Sequence, residues 1–189
     1  MPVFSTNFFL KEPSMSEPKY SDFTLNFNPG ARGNDKAPTL KGKAKVIDSD
    51  GAATEFETAA WGPNKAQSGG PDFYNVTFTP KDPAHAARQL KTDLDGPVLN
   101  AIEGFELTKL GTGRLFERTD EQIAAAKKEG KNLPKFYGHG LVLLPSGPRY
   151  IDMSAWHRPE HGFYSGNAPL HDRAAAAAAR AVKPGAQPN

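Results

Sequence analysis

Residues 36–61 read KAPTLKGKAKVIDSDGAATEFETAAW, and residues 132–156 read NLPKFYGHGLVLLPSGPRYIDMSAW. Pro38 and Gly42 match Pro134 and Gly138 at an offset of 96. After one deletion at the turn, Phe56, Ala60 and Trp61 match Ile151, Ala155 and Trp156 at an offset of 95. A polar Pro/Gly segment and a Phe-Tyr pair follow each tryptophan: Phe73-Tyr74 in the first stretch, Phe163-Tyr164 in the second. Upstream, DFTLNFNPGARG at 22–33 rhymes with GFELTKLGTGRL at 104–115. Self-similarity over such a distance points to two copies of one supersecondary unit.

Inside each copy the periodicity is that of strands. Phe23, Leu25 and Phe27 alternate with Thr24 and Asn26 before an Asn28-Pro29-Gly30 turn. Ala44 and Val46 alternate with Lys43 and Lys45, and Asp48-Ser49-Asp50-Gly51 supplies a hairpin loop. The returning strand places Phe56, Thr58 and Ala60 on one face and Glu55, Glu57 and Trp61 on the other. In the second copy Ile151, Met153 and Ala155 oppose Tyr150, Asp152 and Trp156. Residues 75–78 make a fourth strand in the first copy, and no clear equivalent follows Tyr164. Lys43 and Lys45 correspond to His139 and Leu141, so a charged face becomes apolar in the second copy, turned toward the first copy or another subunit.

Helices are few. Asp82-Pro83 reads as a cap and first position, with Ala84, Ala87, Leu90 and Leu94 at helical spacing up to Gly96. Thr119 with Gln122 forms a capping box before a short helix ending near Gly130. Asp172 can cap the run RAAAAAARAV, which lacks an apolar stripe and reads as an exposed tail.

The expected fold is mainly β with a few short helices. An N-terminal arm (1–20) precedes a first β-unit (21–82), a connecting helix (83–103), a second β-unit (104–168) and an Ala-rich tail (169–189). Residues 1–14 read as an extension outside the fold; the alternative is an arm in which Phe8, Phe9 and Leu10 dock on a partner.

Composition narrows the function. Of 189 residues, 38% are hydrophobic and 23% charged, and 18 glycines with 17 prolines predict many turns. The absence of cysteine rules out disulfides, thiolate zinc sites and thiol catalysis. The first twenty residues have no basic segment and only a four-residue apolar patch, so no signal or membrane anchor is expected and the location reads as cytoplasmic. A net charge of +2 is too small for a protein that grips duplex DNA through phosphates alone.

Catalytic signatures are missing. Gly111-Thr112-Gly113 has neither the lysine nor the helix start of a phosphate loop. Ser146 and Ser165 lack a convincing base, and Glu55 and Glu57 read as a solvated strand face. His157 and His161 are four apart, but Pro159 and Gly162 argue for a loop, so no metal site is expected, and no cofactor. A metal-dependent hydrolase using His139, His157, His161 and His171 is the least favoured reading.

The tryptophans carry the leading one. Trp61 and Trp156 sit opposite the apolar face at strand ends, where indoles can stack on bases at about 1–3 kcal/mol per base. Lys41, Lys43 and Lys45 share one strand face and can follow a phosphate backbone. Lys65, Lys135, Arg149 and Arg158 lie near the same loops in sequence. Against this, Glu55, Glu57 and Asp152 share the tryptophan face and repel phosphates.

The string K-A-P-x-x-x-G from Lys36, the glycine hairpin, A-A-W ending at Trp61, and F-Y-N-V-T-F-T-P from Phe73 resemble short phage- and plasmid-borne proteins. Those are similar to OB-fold single-stranded DNA-binding modules. The resemblance implies two tandem OB-like units, small barrels or curved sheets, with Lys36, Trp61, Lys65 and Phe73 in the binding site. The expectation is a non-enzymatic binder of single-stranded DNA or RNA, using Lys36, Lys41, Lys43, Lys45, Trp61, Lys65, Phe73, Tyr74, Arg149, Trp156 and Arg158. It has no membrane or small-molecule partner, and a homo-oligomer is compatible with it. The competing class is a protein-binding or structural assembly module of a phage or mobile element, anchored by Trp61, Trp156 and Phe8-Phe9-Leu10.

Overall fold

The computed structural model describes residues 20–66, 69–94 and 109–171. The arm before Tyr20, most of the Ala-rich tail and residues 95–108 lie outside them. The elements are β1 (Asp22–Phe27), a 3-10 turn (Pro29–Ala31), β2 (Leu40–Ile47), β3 (Ala53–Asn64), β4 (Phe73–Pro80) and α1 (Pro83–Leu94). They continue with β5 (Thr112–Glu117), α2 (Asp120–Lys128), β6 (Phe136–Leu144), β7 (Gly147–Arg158) and β8 (Phe163–Asn167).

Each strand pairs antiparallel with its sequence neighbours, and β1 pairs with β8, so the sheet closes into one eight-stranded barrel. The two stretches therefore do not close as separate barrels. Four strands leave two open edges, and here each set of four satisfies its edges on the other, through β4 with β5 and β8 with β1. The order is a simple meander, whereas an OB fold winds five strands as a Greek key. β8 is the strand that the alternation after Tyr164 did not reveal. Of the 104–115 stretch, the described part enters β5 at Thr112.

Period-two alternation decides what fills the barrel. Phe23, Leu25, Leu40, Val46, Phe56, Val76, Phe78, Leu115, Phe136, Leu144 and Ile151 are fully buried. An eight-stranded barrel is just wide enough for such a filling. Phe27, the last residue of β1, escapes the alternation: it is exposed and meets the Tyr164 ring edge-on at 5.7 Å.

Glycines let the wall bend. A Cβ at Gly42 would overlap the Thr24 carbonyl oxygen, and one at Gly138 would overlap that of Arg114. Gly42 sits opposite Leu25 and Gly138 opposite Leu115, the same station on β2 and β6.

The hairpin loops at one end are tied together. Asp48, at 3% exposure, accepts hydrogen bonds from the Ser146 amide at 2.9 Å, the Ser146 hydroxyl at 2.6 Å and the Ser49 amide at 2.7 Å. Burial opposes ionisation of Asp48, but these donors outweigh it and hold the carboxyl below its ordinary pKa.

Both helices start as their caps predict. Asp82 Oδ1 accepts from the Ala84 amide at 3.0 Å, and Thr119 and Gln122 make the reciprocal capping box. The apolar spacing of α1 misleads, because Ala84, Ala87 and Leu90 face solvent. The helix docks through polar groups instead: His85 bonds the Leu143 carbonyl at 2.8 Å, and Arg88 and Gln89 donate to those of Leu144 and Phe78. The apolar outer face of β6 is covered within the chain, Leu141 and Leu143 packing with Leu110 and Tyr150. Among the described residues no helix is long and apolar enough to cross a membrane.

Candidate nucleic-acid interface

Outward positions on β4, β5 and β6 align across the sheet. Phe73 stands opposite Phe116, and Phe116 opposite Tyr137. Strands lie about 4.8 Å apart, so three half-buried aromatic side chains form a stripe roughly 10 Å across the outer wall. The Phe116 and Tyr137 rings are 5.5 Å apart, tilted by 33°. Arginines flank both ends: Arg114 lies 5.3 Å from the Phe73 ring centroid, and Arg118 lies 3.8 Å from that of Tyr137. Arg118 is also braced by donating to the Pro134 carbonyl at 2.8 Å. Such a cation–π contact holds a guanidinium against a ring, where it can also meet phosphate.

Carboxylates around this stripe are already engaged. Glu117 accepts a hydrogen bond from the Tyr74 hydroxyl at 2.8 Å and faces Lys135 at 3.3 Å. Asp72 pairs with Lys65 at 2.6 Å, and Asp152 is shared by His139 and His171.

The residues expected to bind are only partly brought together. Trp61 is one strand over, opposite Asn75, which in turn is opposite Arg114. Its half-buried indole donates to the Lys36 carbonyl at 3.2 Å and lines a cleft of about 710 Å³ with Arg32, Asp35 and Pro63. Trp156 donates to the Asn132 carbonyl at 3.4 Å and lines a cleft of about 830 Å³ with Ile123, Lys127 and Leu133. Neither ring is sealed in the core. Three strands separate β3 from β7 in either direction, so the two clefts open on opposite flanks of the barrel.

Tyr74 does not belong to a stacking surface. Adjacent residues on a strand face opposite ways, so Phe73 points out and Tyr74 points into the barrel at 3% exposure. Burial, helped by the Glu117 carboxylate, drives its hydroxyl pKa far above the ordinary value. Arg149 sits near the β6–β7 turn, seven residues back along the strand from Trp156, and donates to its neighbour's carbonyl at Pro148. It belongs to the opposite end of the barrel. Arg158, near Trp156, donates to Ser165 at 2.7 Å.

The lysine ladder does share the outer face of β2. Its cross-strand neighbours offset it, however: Lys43 is opposite Glu57, and Lys45 is opposite both Glu55 and Asp22. Glu55 also takes Lys81 at 2.6 Å. Only Lys41, between Asn26 and Ala59, has no acidic residue opposite it.

Phe116, Tyr137, Arg114 and Arg118 escaped the sequence reading. The signal was there in alternating Arg114/Phe116 and Tyr137/His139, but nothing local says that those two strands pair in that register. No family model, no curated protein and no solved structure matches this chain. What stands in place of a relative is an eight-stranded meander barrel bearing an arginine-flanked aromatic stripe on its outer wall.

Proposed function

We propose that the protein binds single-stranded nucleic acid, DNA by the sequence resemblance, without catalysing a reaction. Bases stack on Phe73, Phe116 and Tyr137, Arg114 and Arg118 meet the phosphates, and Trp61 with Lys36 extends the track on one side. The observation that carries this reading is the register placing three aromatic side chains side by side on one sheet face between two arginines. Sheet-borne aromatics hold unpaired bases in this way, because every base has a face to stack. We also read the barrel as two copies of one four-stranded unit. Matching Gly42 and Gly138 contacts and the carbonyl caps on Trp61 and Trp156 support that reading.

The test is a titration of fluorescently labelled oligo-dT with the full chain, followed by anisotropy. Saturable binding is expected, with log K falling against log salt at a slope of about −0.7 per phosphate contact, or roughly −1.4 for the two arginines. Absence of binding up to tens of micromolar protein at low salt would overturn the proposal.

A further inference from the structure

We propose that His139, Asp152 and His171 form a binding site for a single divalent late transition-metal ion of the zinc class. His139 on β6 and Asp152 on β7 are direct cross-strand partners on the outer wall. His171 comes from the segment after β8, which returns across β7. That return is pinned by backbone: the Asp152 amide donates to Pro169, the His171 amide donates to Tyr150, and Leu170 bridges Ile151.

His139 Nδ1 lies 2.6 Å from Asp152 Oδ1, and His171 Nδ1 lies 2.9 Å from the same oxygen and 3.1 Å from Oδ2. One ligand atom from each of the three lies within 4.8 Å of the others. Two ligands at 2.0–2.1 Å from a tetrahedral ion stand about 3.3 Å apart, so the 2.6 Å and 2.9 Å contacts to Asp152 Oδ1 must open by roughly 0.7 and 0.4 Å, while the wider spread of the ligand atoms, up to 4.8 Å, must close.

The chemistry of the set fits. Two imidazoles and one carboxylate are borderline ligands, and such a trio suits zinc, nickel or iron(II) better than calcium or magnesium. The rings stand at 89° to one another, centroids 5.7 Å apart, so both nitrogens approach one point without the imidazoles colliding. His139 and Asp152 side chains retain 34% and 41% exposure, which gives an ion an entry path and room for a water as fourth ligand. The remaining described histidines are occupied otherwise: His157 lies on Tyr164, His161 stacks on Phe163, and His85 reaches the Leu143 carbonyl. The ion would fasten the chain after β8 to the wall, next to Arg114.

The experiment uses the purified full chain stripped with chelator, titrated with zinc chloride by calorimetry, with thermal unfolding measured with and without zinc. One ion per chain is expected, and Tm should rise by about 5 °C or more at roughly 100 times Kd. His139→Ala and His171→Asn should lose both responses, the second keeping a hydrogen-bond donor for Asp152 should His139→Ala fail to fold. His157→Ala with His161→Ala should respond as the parent does. A parent that binds no zinc, or a response unchanged in His171→Asn, would overturn the site and leave the nucleic-acid reading where it stands.

Discussion

Replacing Asp48 by alanine tests whether the tie between the two hairpin loops holds the barrel end together. Its carboxylate takes three close hydrogen bonds, two of them from Ser146, 98 residues away. Hydrogen bonds to a charged group are worth about 1.5–3 kcal/mol each when measured singly. They do not add here, because Ser49 and Ser146 lie on exposed loops and can turn their donors to water. The expected loss is about 2–3 kcal/mol, or roughly 5–10 °C in Tm for a chain of this size. Asp48→Asn keeps the volume but offers an amide where two donors converge, and should lose about half as much. The folded-state pKa of Asp48 lies below its ordinary 3.8, so ionisation favours the fold above that pH and the benefit fades as pH falls through the folded value. Urea unfolding should therefore show a constant gap between parent and Asp48→Asn from pH 5 to 8, closing below about pH 3.8. A change within 0.5 kcal/mol, or a gap that persists unchanged at pH 2.5, would refute the reasoning.

Gly138→Ala drives a methyl into the Arg114 carbonyl on the neighbouring strand, and Gly42→Ala does the same at Thr24. Each should cost about 3 kcal/mol or more in chemical denaturation, with loss of soluble protein as the extreme. Thr58 faces the interior at 3% exposure with its hydroxyl unpartnered, so Thr58→Val should leave stability equal or raise it by about 1 kcal/mol.

What was legible in the sequence was local. Alternation at Phe56, Thr58 and Ala60, the Asp48–Gly51 loop, and the caps at Asp82 and Thr119 depend on neighbours within a few residues, and each is found where the pattern puts it. Closure was not legible, since pairing of β4 with β5 and of β1 with β8 joins strands far apart in the chain, and periodicity carries no record of partner. The same gap hid the stripe: Phe116 and Tyr137 become neighbours only once register is known. Lysine spacing on β2 is legible as one face, whereas the sequence shows the opposing carboxylates only as a competing charge and not as cross-strand partners. The Phe-Tyr pair suggests one stacking surface, but successive strand residues diverge, so Tyr74 turns into the barrel. His139, Asp152 and His171 share no helical or hairpin spacing and meet only through the return of the chain over β7.

The most direct measurement compares oligo-dT affinity of the parent with Tyr137→Ala and Phe73→Ala at one low salt concentration, each variant first shown to be folded. Loss of a stacked base predicts about 5- to 150-fold weaker binding for each. The same affinity in parent and both variants would contradict the account, since the strand would then be held somewhere other than the aromatic stripe.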